Sequence, residues 1–278
     1  MEKSRLELDW EELGEEGRIL DLGSGPGSFG GTLANRRVVQ MDLDRGRLTA
    51  RGGDLVCADA ARQPFRDQSF GLVVANHSLE HIVELEAALE ELRRTLRDGG
   101  VLFVTVPDAT TLADKLYRWL ARGGGHVNDF VDLSEFVGRI ETATNTHCVY
   151  QEVLHAGFTF LNRRGNAKLP RRAWLLGGGF ELPLALATWV LRWMDHRWGT
   201  RYAVYGWCCV FRKRRGERRK GQELAPQQGR AKTNVCVRCG MGHEAERLSE
   251  RLGNWLGIPS YHCPNCGARN FFTRDGET

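Results

Sequence analysis

The residues best suited to chemistry fall in two groups at opposite ends of a 278-residue chain. Near the C-terminal end stand Cys236-Val-Arg-Cys239-Gly and Cys263-Pro-Asn-Cys266-Gly. Two such pairs supply four thiolates, the ligand set of a tetrahedral ion with metal–sulfur bonds of about 2.3 Å. The glycine after each pair leaves the backbone room to turn and to donate N–H bonds to sulfur. Four cysteines close the coordination sphere, so the role expected is structural rather than catalytic. Zinc is the expected ion, although the spacing alone also admits iron.

Near the other end lies Asp21-Leu22-Gly23-Ser24-Gly25-Pro26-Gly27. Glycines at such a place let backbone N–H groups approach a ligand that a Cβ would hold off, and a following helix N-terminus favours an anionic group. Asp42 follows 19 residues after Gly23, where an acid can accept hydrogen bonds from ribose hydroxyls. Gly25-x-Gly27-x-x-Gly30 also satisfies the dinucleotide fingerprint. Asp21 argues for a different nucleoside ligand: it would repel a pyrophosphate but welcome an ammonium group.

The elements that must position these groups alternate. Strands are expected at 18–22, 37–42, 54–59, 70–76 and 101–106, with a helix starting over 28–35 and another over 83–97. Strands that are apolar throughout and alternate with helices imply a parallel sheet covered on both faces. Further on, helices are expected over 110–121 and 133–143. Strands over 148–161 and 202–211 follow, able to pair antiparallel at a sheet edge. Between those strands, 170–199 carries four of the chain's eight tryptophans. It reads as a helical insertion broken by Gly177-Gly-Gly179 and Pro183, packed on the core and contributing to an acceptor pocket. Residues 212–234 read as a basic, flexible linker, and 235–278 as a metal module with a helix over 244–256. So polar a linker predicts little coupling between module and main domain.

Lys plus Arg number 39 against 35 Asp plus Glu, and the excess is local: Arg212 to Lys220 holds seven basic residues and one acid. That strip could meet an anionic partner, either RNA or a membrane surface, although it has no interleaved aromatics. The first 17 residues are acidic and polar without an apolar run, so no secretory signal is expected, and no stretch reaches the roughly 18 uninterrupted apolar residues of a spanning helix. A cytoplasmic protein, in contact with a membrane at most peripherally, is the expectation, with reduced thiols rather than a disulfide framework.

As a set, Asp21-Leu-Gly-Ser-Gly-Pro-Gly27, Val38-Val-Gln-Met-Asp42, Ala58-Asp-Ala-Ala-Arg-Gln-Pro-Phe65, Ser69-Phe-Gly-Leu-Val-Val-Ala75, Ser78-Leu-Glu-His81 and Leu96-Arg-Asp-Gly-Gly100 resemble a class I S-adenosylmethionine-dependent methyltransferase, of the branch that includes quinone-biosynthesis enzymes. The likeness covers residues 10–211, and the cysteine module resembles a zinc ribbon. The resemblance implies an α/β, Rossmann-like, doubly wound and mostly parallel sheet, with a small C-terminal zinc-binding module. It implies that Gly23, Ser24, Gly25 and Gly27 line the methionine and ribose, and that Asp21 sits near the methionine amino group. Asp42 would hold the ribose hydroxyls with Leu43 beside the adenine. Asp59 and Ala60 would meet the adenine edge, and Asn76 would stand at the carboxyl end of the fourth strand. Gly71 and Asp98 depart from the family's usual acid and proline, and a short N-terminal segment predicts a reduced lid. Methyl transfer needs a base only if the acceptor must lose a proton; His77, His81 and His126 are the candidates. His243 and His262 are expected to be solvent-exposed neighbours of the cysteines. The acceptor expected is small or lipid-like. The alternatives are a methyltransferase acting on RNA or protein held by the basic linker and zinc module, a nicotinamide-dependent oxidoreductase, and a non-catalytic scaffold that binds S-adenosylmethionine.

Overall fold

The computed structural model describes residues 17–28, 37–49, 53–122, 124–167, 169, 180–215, 225–229 and 232–274. The helix expected over 28–35, the N-terminal lid segment, the glycines at 177–179 and most of the basic run lie outside these residues.

An eight-stranded sheet runs in the order β3-β2-β1-β4-β5-β7-β6-β8. Strands β1 (Ile19–Leu22), β2 (Val38–Asp42), β3 (Asp54–Cys57), β4 (Phe70–Asn76) and β5 (Leu96–Pro107) are parallel. Alternate residues serve two apolar layers. Leu20, Leu22, Val73, Ala75, Leu102 and Val104 enter one buried cluster, while Ile19, Leu72, Val74, Val101 and Phe103 enter another. That two-sided demand is why β1, β4 and β5 read as apolar runs, whereas β3, at the sheet edge, is mostly exposed and not covered on both faces as expected. Helix α1 (Leu85–Thr95) buries Leu85, Ala88, Leu89 and Leu92 on one stripe in the first layer, beside Phe136 and Ile140 of α3 (Leu133–Thr144).

Helix α1 stops at Thr95, two residues before the expected end, because Leu96 is already paired with Phe70 as β5 begins. The ammonium of Lys213 donates to the carbonyls of Arg93 and Leu96 at 2.6 Å, satisfying acceptors that a helix end leaves open. After α2 (Leu112–Leu120) and α3, β6 (Thr146–His155) and β7 (Val204–Lys213) pair antiparallel as expected, with β7 lying between β5 and β6. The β6 strand ends six residues short of the expected limit, since Thr159–Leu161 forms a 3₁₀ turn and α4 (Arg163–Asn166) follows.

Of the tryptophan-rich excursion, the described part is one helix, α5 (Glu181–Trp198). Pro183 does not break it: it lies in the first turn, where backbone N–H groups have no partner within the helix to lose. Leu184 and Leu191 pack against the cluster of Tyr117, Leu120, Phe158 and Phe160, so this part of the excursion packs on the main domain. Phe180, Trp193 and Trp198 remain exposed.

The basic stretch also differs from a free linker at both ends. Strand β7 runs on to Lys213, and β8 (Gln227–Gln228) adds to β6, with Gly229 N–H donating to Gln151 O at 2.6 Å. The cysteine module holds a two-stranded sheet of β9 (Asn234–Val235) and β10 (Gly242–His243), then a three-stranded one of β11 (Gly253–Trp255), β12 (Ile258–His262) and β13 (Arg269–Phe271). Its helix α6 spans only Ala245–Ser249. The apolar spacing over 244–256 suggested a longer one, but Leu256 and Gly257 take positive φ (+50° and +87°) and turn β11 back onto β12.

Candidate functional site

Three glycines with left-handed backbones shape the turn after β1: φ is +61° at Gly23, +53° at Gly25 and +101° at Gly27. Hydrogen bonds hold it from two sides. Ser24 N–H donates to Met41 O at 2.8 Å, and Gly25 N–H to Asp42 Oδ2 at 2.8 Å. Asp21, fully buried, accepts from Ser28 N–H at 2.9 Å and from Ser28 Oγ–H at 2.6 Å. The two carboxylates named in the sequence therefore bracket the loop. A Cβ on Gly23 would stand 2.8 Å from Ser78 Cβ, whereas one on Gly25 would meet nothing within 4 Å among the described residues. Gly23 is small because the protein crowds it; among the described residues, Gly25 borders space that a ligand could use.

Around that space, Asp42 closes β2 with its other oxygen on Asp44 N–H at 2.9 Å, and Leu43 beside it is exposed. A carboxylate has about four acceptor sites, so two backbone bonds leave Asp42 capacity for hydroxyl donors. Asp59 accepts from Ala61 N–H at 3.0 Å and pairs with Arg62 at 3.1 Å, which fixes the turn carrying Ala60. Asn76, fully buried at the end of β4, accepts from Thr105 Oγ–H at 2.7 Å.

The three histidines come together near the same edge. His77 takes φ +48°, uncommon for a residue with a Cβ, and its N–H donates to Thr105 O at 3.0 Å. Its ring lies 5.1 Å from that of Tyr205. His81 ends a 3₁₀ turn (Leu79–His81), with Nδ1 2.9 Å from Gly125 O. The His126 ring is 4.9 Å from His81, and its Nδ1 is 3.2 Å from Asp114 Oδ1. Sequence reasoning missed Glu80 and Asp114, both fully buried here, and Tyr117, Asn128 and Tyr205 beside them. Their signal was weak: single polar residues on otherwise ordinary turns and helices. Burial, helped by the charges of Glu80 and Asp114, pushes the Tyr117 phenol up and the Tyr205 phenol well above its usual range. Both stay protonated near neutrality and can only gain from nearby negative charge as donors.

In the module, Cys236 Sγ lies 3.6 Å from Cys266 Sγ, and Cys239 Sγ 3.7 Å from Cys263 Sγ. Ligands of a tetrahedral ion with bonds of about 2.3 Å stand roughly 3.8 Å apart, so the four sulfurs fit such an ion. Each knuckle closes alike, Gly240 N–H on Cys236 O and Gly267 N–H on Cys263 O, both at 2.8 Å. Arg238 N–H and Asn270 Nδ2 approach Cys236 Sγ at 3.4 Å. Hydrogen bonds from Cys236 and Cys263 hold the Cys239 thiol well below its usual range. His243 corrects an expectation: its Nε2 reaches Cys263 Sγ at 3.2 Å, because β10 places it against the cluster, while His262 is exposed.

The module is not loosely tethered. Arg192 of α5 donates to Val235 O at 2.8 Å, and Asn162 Nδ2 donates to Val237 O at 2.9 Å. Arg238 grips Glu181 through two bonds of 2.7 and 2.6 Å, and Trp189 Nε1–H donates to Phe272 O at 3.2 Å. Ala185, Val237 and Phe271 share one apolar cluster.

Residues 20–104 match a family described as "Methyltransferase domain". A malonyl-[acyl-carrier protein] O-methyltransferase of Legionella pneumophila is 34% identical over 131 residues, covering 42% of this chain and 46% of that protein. A demethylmenaquinone methyltransferase of Clavibacter sepedonicus is 38% identical over 97 residues, covering 31% of this chain and 40% of that one. The chain thus spans less than half the length of these curated relatives. A crystal structure of a methyltransferase-like protein from Bacillus halodurans superposes with a TM-score of 0.51 at 18% identity, over 74% of this chain and 96% of that one. Strand order, glycine loop and family match agree on a methyltransferase-like, Rossmann-type sheet over this region, followed by a four-cysteine module.

The two glycines should separate on substitution. Gly25→Ala should cost about 1–2 kcal/mol, the usual cost of a Cβ in the left-handed region. Gly23→Ala should cost more, since its Cβ also overlaps Ser78. Urea denaturation of the two variants measures the difference.

Proposed function

We propose that this chain transfers the methyl group of S-adenosylmethionine to a small or apolar acceptor, and that a zinc ion held by Cys236, Cys239, Cys263 and Cys266 supports the fold. The observation that carries the reading is the loop Gly23–Gly27, bracketed by Asp21 and Asp42 and open in front of Gly25. S-adenosylmethionine supplies an electrophilic methyl on a sulfonium; the protein binds, aligns and desolvates. Gly25 lets the backbone approach the ligand, Asp42 offers acceptor capacity to the ribose, and Leu43 gives an apolar surface to the base. Asp21 is committed to Ser28, so its part toward the methionine ammonium is the field of a buried carboxylate rather than sole hydrogen-bond partner. Asn76, His77 and the His81–His126 pair face the acceptor side. Of the relatives named above, the demethylmenaquinone enzyme agrees with an apolar acceptor, while the malonyl-[acyl-carrier protein] enzyme is named for a carboxylate-bearing group on a carrier protein. Among the described residues no helix is long and apolar enough to cross a membrane.

The transfer reading is tested by following S-adenosylhomocysteine release with a small-molecule extract as acceptor source. Gly25→Ala should lose roughly 100-fold in rate with a native circular dichroism spectrum, because a ligand displaced by one Cβ is out of line. An unchanged rate would overturn the placement.

Zinc should be present at one ion per chain, counted by elemental analysis. Its removal by a chelator should loosen α5 as well as the module, because Glu181, Trp189 and Arg192 are bonded to module residues. Hydrogen exchange over 181–198 should then accelerate; exchange confined to 232–274 would show the module to be independent.

A further inference from the structure

A second set of metal-ligating side chains lies outside the cysteine module. Glu80, His81 and His126 each offer a ligand atom within 4.8 Å of the other two. We propose that these three residues form a second, divalent transition-metal site on the acceptor side of the sheet, with an open position for an anionic oxygen of the acceptor.

The donor set is the first ground. Two imidazoles and one carboxylate suit zinc and its first-row neighbours, and three protein ligands leave a fourth position for water or substrate. In a tetrahedral site with bonds of about 2.0–2.2 Å the ligands stand roughly 3.4 Å apart, so the set, within 4.8 Å here, would draw in by about 1 Å to close on an ion.

The tautomer of His81 is the second ground. A carbonyl oxygen can only accept, so the contact of His81 Nδ1 with Gly125 O at 2.9 Å places the proton on Nδ1. His126 Nδ1 lies 3.2 Å from Asp114 Oδ1, close to the carboxylate but outside hydrogen-bond geometry. The His81 ring then carries its lone pair on Nε2. An imidazole held by an oxygen at one nitrogen and by a metal at the other is the usual arrangement of a ligating histidine.

Charge is the third. Glu80 and Asp114 are both fully buried. The guanidinium of Arg118 approaches Asp114 Oδ2 at 2.5 Å and Asp129 Oδ1 at 2.7 Å, and His77 Nδ1 lies 3.8 Å from Glu80 Oε1. A cation beside Glu80 would offset negative charge in a place of low dielectric.

Placement is the last. Val127 N–H and Asn128 N–H both donate to Glu80 O, at 2.8 and 3.1 Å, and Asn128 Nδ2 donates to Leu79 O and Ile82 O. The loop carrying His126 is thereby fastened to the turn carrying Glu80 and His81. That turn follows β4, at the carboxyl edge where open α/β sheets bind ligands, and its Ser78 touches the cofactor loop at Gly23. The ligand class is an acceptor with a carboxylate, enolate or phenolate oxygen. This last step rests on the methyltransferase reading; the metal site itself does not.

The test uses the full chain with its cysteines already loaded with one zinc, titrated with Co²⁺ in the absence of S-adenosylmethionine. One further ion per chain should bind, with the weak d–d bands of a nitrogen and oxygen site and no thiolate charge-transfer band. His81→Ala and His126→Ala, combined, should abolish it and leave the zinc content and circular dichroism unchanged. A chain that stops at one metal, or a double variant that still takes the second ion, overturns the site. Since no cofactor is present, failure to bind S-adenosylmethionine would be a separate result, and would sink only the methyltransferase reading.

Discussion

A polypeptide can turn sharply at the end of a buried parallel strand and still present its N–H groups outward only if side chains are absent where the backbone is left-handed. Gly23, Gly25 and Gly27 meet that condition, and Asp21 and Asp42 make it permanent by taking up Ser28 and Gly25. The rest of the main domain serves this turn. Its floor is the two-layer apolar packing that fixes β1 between β2 and β4, and its far wall is Ser78 at the start of the turn after β4. Everything assigned to the acceptor side, from His77 to the Glu80–His126 cluster, follows from where that wall continues.

A second dependence runs through α5. Leu184 and Leu191 face the aromatic cluster around Phe158 and Phe160, while Ala185, Trp189 and Arg192 face the cysteine module. One helix thus shares its apolar surface between two cores, each too small to use all of it. The module has little core of its own, so an ion at the four sulfurs would supply much of its folding energy and pass part of it to the main domain through this helix.

The parallel strands were legible because burial on both faces leaves unbroken apolar runs, as in Phe70–Asn76, and the glycine loop because its residue types have few other uses. The four cysteines were legible from spacing alone. What was hidden depended on partners distant in sequence. The coupling of module to domain rests on Arg192, Asn162 and Arg238, ordinary polar residues whose carbonyl or carboxylate partners no local pattern reveals. The long helix expected over 244–256 failed for a local reason: apolar spacing at helical steps was overruled by a hairpin that needs positive φ at Leu256 and Gly257. Glu80 and Asp114 escaped notice because a lone acid reads as surface until burial is known.

Cofactor choice is the claim on which the account turns, since Gly25-x-Gly27-x-x-Gly30 also satisfies the dinucleotide fingerprint. Calorimetric titration of the full chain with S-adenosylmethionine and, separately, with NADH distinguishes the two. Binding of one S-adenosylmethionine per chain without binding of NADH is the result predicted; binding of NADH without S-adenosylmethionine would contradict the assignment.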